Sequence, residues 1–289
     1  MSPKITKMAL QEITPEPLTD YRPSDDEKGT RKLPLIFEPA FIRRCLHRIQ
    51  KYSVWPVMMY FPLHATNTLI IPGISPESAP NDVLMMIREI LPSFTSKLLL
   101  ASMGVHVCSG LVLRVWSIIT RKLHRRRKGY TISDERERTS QRNIGLVGGL
   151  SGYFVGSYRQ LAYSPQALSG YILIPVIIYH MRLMKWIPAS LDIDIDFDFV
   201  KWLLQHNSST IKWAAGIIPL SLLISTGAYH IVAGTCQYAN IWRLEARKRF
   251  TSVFLALVGL GFASIYRLAS SSSPSLGHQF YGAITNKLL

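Results

Sequence analysis

Long apolar runs alternate with charged stretches along the 289-residue chain. The runs fall at about 53–72, 95–119, 143–164, 167–188, 210–238 and 252–269. Each is near the ~20 residues that cross a hydrocarbon core about 30 Å thick at 1.5 Å per residue. Within lipid the backbone must satisfy its own hydrogen bonds, so such runs are expected to be helical. The pattern predicts an all-α, polytopic membrane bundle of five to six transmembrane helices. Pro56 and Pro62 predict a kink in the first span. Pro76, Pro80 and Pro92 mark the stretch after it as a loop. The 143–164 run is the weakest span, and its "GLVGGLSG" has the small-xxx-small spacing of close helix packing.

Polar composition divides the rest. Residues 1–40, rich in Pro, Asp, Glu, Thr and Lys, read as a disordered tail. The stretch "FIRRCLHRIQKY", 41–52, is basic and amphipathic and suits the membrane face. Two transmembrane units, 41–142 and 167–270, follow, with the Gly-rich 143–166 between them and a terminal tail at 271–289.

The net charge is +15. The basic residues cluster beside apolar spans, which points to a membrane surface and away from nucleic acid. Residues 1–50 hold seven acids against nine Lys or Arg and no apolar signal core, which argues against a secretory signal or a matrix presequence. Lys and Arg are dense in 1–50 and 121–142, which places both on one side, taken as cytosolic. Length favours six spans. Charge favours five, because "RLEARKRF", 243–250, then joins that side and the acidic 192–198 leaves it.

The chain repeats itself. Gln50, Ser53, His64 and Pro72 are spaced by 3, 11 and 8 residues, and so are Gln166, Ser169, His180 and Pro188. His106 and His230 are each followed four residues later by glycine, Gly110 and Gly234. A duplicated unit of two or three helices accounts for this.

These four histidines are half of the eight in the chain, and all four fall inside spans. Ionisable side chains in a span face the bundle interior and find partners. Interhelical hydrogen bonding, axial ligation of haem iron and a proton or metal pathway all use buried imidazoles. His64 and His180 each precede a helix-ending proline by eight residues, or about 12 Å, which sets both near the midplane. His106 and His230 are also expected mid-span. Gly104, Ser109, Gly110, Gly227, Ala228 and Gly234 would leave room for a flat macrocycle, and Arg48, Arg114 and Arg182 are candidate partners for its propionates.

"DIDIDFDF", 192–199, alternates acid and apolar residues with period two and reads as a short amphipathic strand at the membrane face. A calcium site there lacks a glycine turn and a bidentate glutamate at loop spacing. No GxGxxG, P-loop, GxSxG or HExxH occurs. In the tail, Ile13 and Leu18 flank Pro15 and Pro17. Apolar residues around two prolines suit strand addition or groove docking, because proline pre-orders an extended segment.

The duplicated S-x10-H-x7-P unit, the H-x3-G helix and the P-x-P tail together resemble a fungal family of mitochondrial outer-membrane proteins. Its yeast member complements loss of the Mdm-ten subunit of the tether between the endoplasmic reticulum and mitochondria. The resemblance covers about 41–270 and the tail motif. The membrane units of that family are similar to the haem-b cytochrome subunits of succinate dehydrogenases. That resemblance implies pairing of His64 with His180 and of His106 with His230 around one or two haem b groups. "HRIQKYS", 47–53, is similar to the H-R-x-T-G entry of those subunits, with Lys51 and Tyr52 in place of Thr-Gly. The resemblance further implies that Ile13, Pro15, Pro17 and Leu18 dock a bridge-like, chorein-type lipid-transfer protein. The expectation is therefore an outer-membrane adaptor with a cytosolic N-terminus that supports lipid homeostasis at contact sites. The alternative is a haem-b membrane oxidoreductase or haem carrier.

Overall fold

A computed structural model describes residues 39–128, 164–241, 243–272 and 278–288. The 143–164 span lies outside them except for Ser164. The chain divides into two compact units, Met1–Cys45 and Leu46–Leu289. The first is described only where it enters helix α1, Pro39–Tyr52.

The second unit is a helical bundle, and the described residues contain no strand. Helix α2, Trp55–Ala65, runs through a π-helical turn, π1, Thr66–Ile70, into α3, Ile71–Ile74. Next come α4, Ala79–Ile90, and α5, Thr95–Lys128. The sequence then repeats this order. Helix α6, Pro165–Met181, continues through π2, Arg182–Trp186, into α7, Ile187–Ser190. Helix α8, Phe197–Gln205, is followed by π3, Ile211–Ile217, and α9, Ile218–Tyr238. Helices α10, Leu244–Ser270, and α11, His278–Leu288, end the chain. Among the described residues, four stretches are long and apolar enough to cross a membrane: Thr95–Thr120, Pro165–Ser190, Ile211–Tyr238 and Leu244–Ser270. The expected first span, running from α2 to α3, is helical but is not among these four. Three prolines, His64 and Asn67 interrupt its apolar run.

Proline explains the three π turns. Each turn leads into a proline two residues past its end: Pro72, Pro188 and Pro219. Proline has no N–H, and its ring crowds the carbonyl four residues back. A wider turn relieves the crowding but leaves that carbonyl without a partner, which is costly in lipid. For two of the three turns another helix supplies the missing donor. Ser264 of α10 donates its hydroxyl to Thr68 O at 2.8 Å, the carbonyl four before Pro72. The Tyr179 hydroxyl of α6 donates to Ala215 O at 2.9 Å, the carbonyl four before Pro219.

Two expectations are corrected. The 192–199 segment is not a strand. Asp196 is an N-cap whose carboxylate accepts from Asp198 N at 2.9 Å and Phe199 N at 3.4 Å, and this starts α8. Asp192 takes a left-handed φ of 54°, where it closes the end of α7, and the Ile193 N–H donates to Pro188 O at 3.0 Å. The stretch after the first span is not all loop either. It contains α4, with Pro80 in the first turn, where a missing N–H costs nothing.

Contacts fix the two ends of the bundle. At one end, Lys51 Nζ donates to Tyr238 O at 2.9 Å, and the first turns of α10 pack on the end of α9 through Cys236, Ile241 and Phe250. At the other, Phe197 N donates to Asn81 Oδ1 at 2.8 Å, and Gln205 Nε2 donates to Leu268 O at 2.8 Å. Phe199, Trp202, Leu203, Tyr281 and Ile284 form the core there. Since α5 runs away from that second end, Lys128 and Ser164 both belong to the first. So do residues 243–250, and the acidic 192–198 lies at the opposite end. This is the side assignment that charge favours.

Candidate functional site

All four intramembrane histidines meet in pairs. The rings of His64, on α2, and His180, on α6, have centroids 6.4 Å apart and planes at 72°. The rings of His106, on α5, and His230, on α9, have centroids 6.2 Å apart and planes at 81°. Each pair takes one histidine from each repeat. Among the described residues no three His, Cys, Asp or Glu side chains converge as a metal cluster. The site therefore offers two nitrogen donors per pair.

The outer nitrogens of the second pair are held in place. Gln50 O accepts from the His106 Nδ1–H at 3.0 Å, since a carbonyl has no proton to give. Ser169 donates its own proton to Gln166 O at 2.9 Å, so its Oγ is left to accept from His230 Nδ1–H at 3.2 Å. Both rings are thereby in the tautomer with a bare Nε2. In the first pair, Tyr60 OH lies 3.5 Å from His64 Nδ1, with the two rings stacked.

The repeat is visible in these partners. Ser53 donates to Gln50 O at 3.1 Å as Ser169 does to Gln166 O. A Cβ at Gly110 would lie 2.8 Å from Gln50 Nε2, and one at Gly234 would lie 3.1 Å from Gln166 Nε2. The glycines four residues after the histidines thus admit the glutamine amides. Gly170, next to Ser169, is also close: a Cβ there would meet His230 Cε1 at 2.9 Å.

The pairs do not share one midplane. Ser169 touches His230, and His180 lies 11 residues further along the same helix. That is about 16 Å. The His106–His230 pair sits toward the end of the bundle with Lys51 and Tyr238, and the His64–His180 pair sits toward the acidic end.

The candidate cations fall apart. Arg48 is exposed and Arg114 half-buried, eight residues past His106 on α5. Arg182 follows His180 by two residues, which at about 100° per residue aims it from the opposite side of the helix. Sequence reasoning missed Asn67, which is 3% exposed with Oδ1 unpartnered, three residues after His64. An asparagine inside an apolar run was the available signal. Ile13, Pro15, Pro17 and Leu18 lie outside the described residues.

Comparisons with known proteins agree with this architecture. No solved structure matches the chain. The mitochondrial adapter protein MCP1 of Saccharomyces cerevisiae is 41% identical over 296 residues, covering 96% of this chain and 97% of that protein. Residues 59–159 and 175–269 match the family described as MDM10-complementing protein 1, transmembrane domain. These two segments contain all four paired histidines, and on this ground the chain belongs to the MDM10-complementing protein 1 family.

Proposed function

We propose that the protein is an adaptor of the mitochondrial outer membrane whose helical domain binds haem b. The tail, facing the cytosol, recruits a chorein-type lipid-transfer protein through Ile13, Pro15, Pro17 and Leu18, and so supports lipid homeostasis at contact sites. The adaptor reading rests on the 41% identical relative, which carries that role in its name, and on the flanked P-x-P motif.

The haem reading rests on the paired histidines. Two metal–imidazole bonds of about 2 Å each and two ring radii make roughly 6 Å between ring centroids. The separations here are 6.2 and 6.4 Å. A ligating histidine usually gives its second N–H to a carbonyl or another polar oxygen, and His106 and His230 both do so. The donor set fits one or two bis-imidazole sites. Bound haem would supply a one-electron couple. In the second pair the chain's own residues, Gln50 O and Ser169 Oγ, hold the imidazole protons on Nδ1.

The tail is tested separately. Pro15→Ala with Pro17→Ala abolishes co-purification of the lipid-transfer protein and leaves membrane insertion intact. Unchanged recovery of that protein contradicts the docking role. Turnover of a quinone by the purified protein would favour the oxidoreductase reading instead.

A further inference from the structure

The candidate span that carries His180 also contains a guanidinium, Arg182. It lines a groove of about 370 Å³ on the outer surface of the bundle, together with Ile178 of α6, Ile211 and Ala214 of π3 and Leu288 of α11. Tyr179 also lines the groove, but its hydroxyl is committed to Ala215 O. Arg182 is exposed to the groove. Among the described residues no acid, carbonyl or ring pairs with it.

A guanidinium inside a span is expensive unless an anion accompanies it. The walls of the groove are aliphatic, so the anion must carry an apolar part. The groove volume is at the small end of ligand sites, roughly 300–1,000 Å³. It suits one stretch of acyl chain and leaves the remainder of a lipid outside. Lys185, exposed, lies on π2 with Arg182, and Lys212, half-buried, follows Ile211 on π3, so both segments carry further positive charge.

We propose that this groove holds an anionic phospholipid, with its phosphate on Arg182 and an acyl chain along Ile178, Ile211 and Ala214. The bilayer presents phosphate and hydrocarbon together at this surface, whereas free inorganic phosphate would have to strip its hydration to enter aliphatic walls. Neither the tail motif nor the histidine pairs enters this inference, so it stands apart from the adaptor reading.

The test uses the full chain in nanodiscs of phosphatidylcholine with phosphatidic acid as the minor lipid. Native mass spectrometry counts the lipids that stay bound on release. The wild type retains phosphatidic acid in preference to phosphatidylcholine. Arg182→Gln lowers that retention roughly tenfold, as loss of a charge-assisted contact would, and Arg182→Lys recovers part of it. Ala214→Phe keeps the charge, fills the groove and also loses the lipid. Lys248→Gln, at the opposite end of the bundle, retains it. Retention equal to wild type in Arg182→Gln or in Ala214→Phe overturns the proposal, and so does displacement of the lipid by inorganic phosphate.

Discussion

Ser169 holds the outer nitrogen of His230, with its Oγ 3.2 Å from Nδ1, and it can only accept there because its own proton goes to Gln166 O. In the first repeat the equivalent serine, Ser53, bonds Gln50 O, and that carbonyl itself takes the proton of His106. The Gln166 backbone also hydrogen-bonds His230, so the repeats share that partner and Ser169 is an additional one in the second. Under the proposed ligation, Ser169→Ala lowers haem retention about 10-fold or more, the usual effect of losing such a support. Ser53→Ala changes it little, because the bond from His106 goes to the Gln50 carbonyl. Haem content of the purified variants measures this, and equal losses would contradict it.

The adopted carbonyls give a stability prediction. Tyr179→Phe strands Ala215 O and Ser264→Ala strands Thr68 O. A buried acceptor left unmade costs about 1–3 kcal/mol. Thermal unfolding in detergent should fall for both variants. Tyr266→Phe, at a position 72% exposed, serves as the control and should unfold as the wild type does.

Under the proposed outer-membrane location and cytosolic basic face, the ends of the bundle set which sites are reached. In a cysteine-free background, Lys122→Cys and Lys248→Cys label together with an impermeant maleimide on intact mitochondria. Asp194→Cys, at the other end, stays protected until the membrane is opened. Labelling of Asp194→Cys together with Lys248→Cys would break the described topology.

Tyr281, on α11 outside the spans, has its phenol pushed up to about 12 by burial, with Asp196 and Asp198 adding to the rise. An unfolded phenol ionises near pH 10. The folded state thus binds the proton more tightly, and this contribution is whole below about pH 10 and lost as pH climbs toward about 12. The stability of the wild type relative to Tyr281→Phe should fall across that window. A constant difference would mean that Tyr281 is not held by the acidic end.

Much of this bundle was legible from residue spacing. The duplicated S-x10-H-x7-P unit located His64 and His180, and the second histidine helix located His106 and His230, because a polar side chain in an apolar run stands out. Local signals failed where a tertiary partner decides. Alternation over 192–199 suggested a strand, yet Asp192 closes one helix and Asp196 caps the next. The π turns could not be read from proline alone, since in two of them the cost is met by Tyr179 and Ser264 on other helices. Gly110 and Gly234 looked like space for a cofactor, and the side chains beside them, Gln50 and Gln166, come from another helix in each repeat.

The central proposal is that the two histidine pairs would hold haem b. The most direct measurement is the reduced-minus-oxidised absorption spectrum of the purified full chain and its four single His→Ala variants. The wild type gives a bis-imidazole haem b spectrum. His64→Ala and His180→Ala remove the same component, and His106→Ala and His230→Ala remove the other if two groups bind. A wild type without haem, or four variants that all keep the full spectrum, contradicts the claim and leaves the pairs as hydrogen-bonded helix contacts.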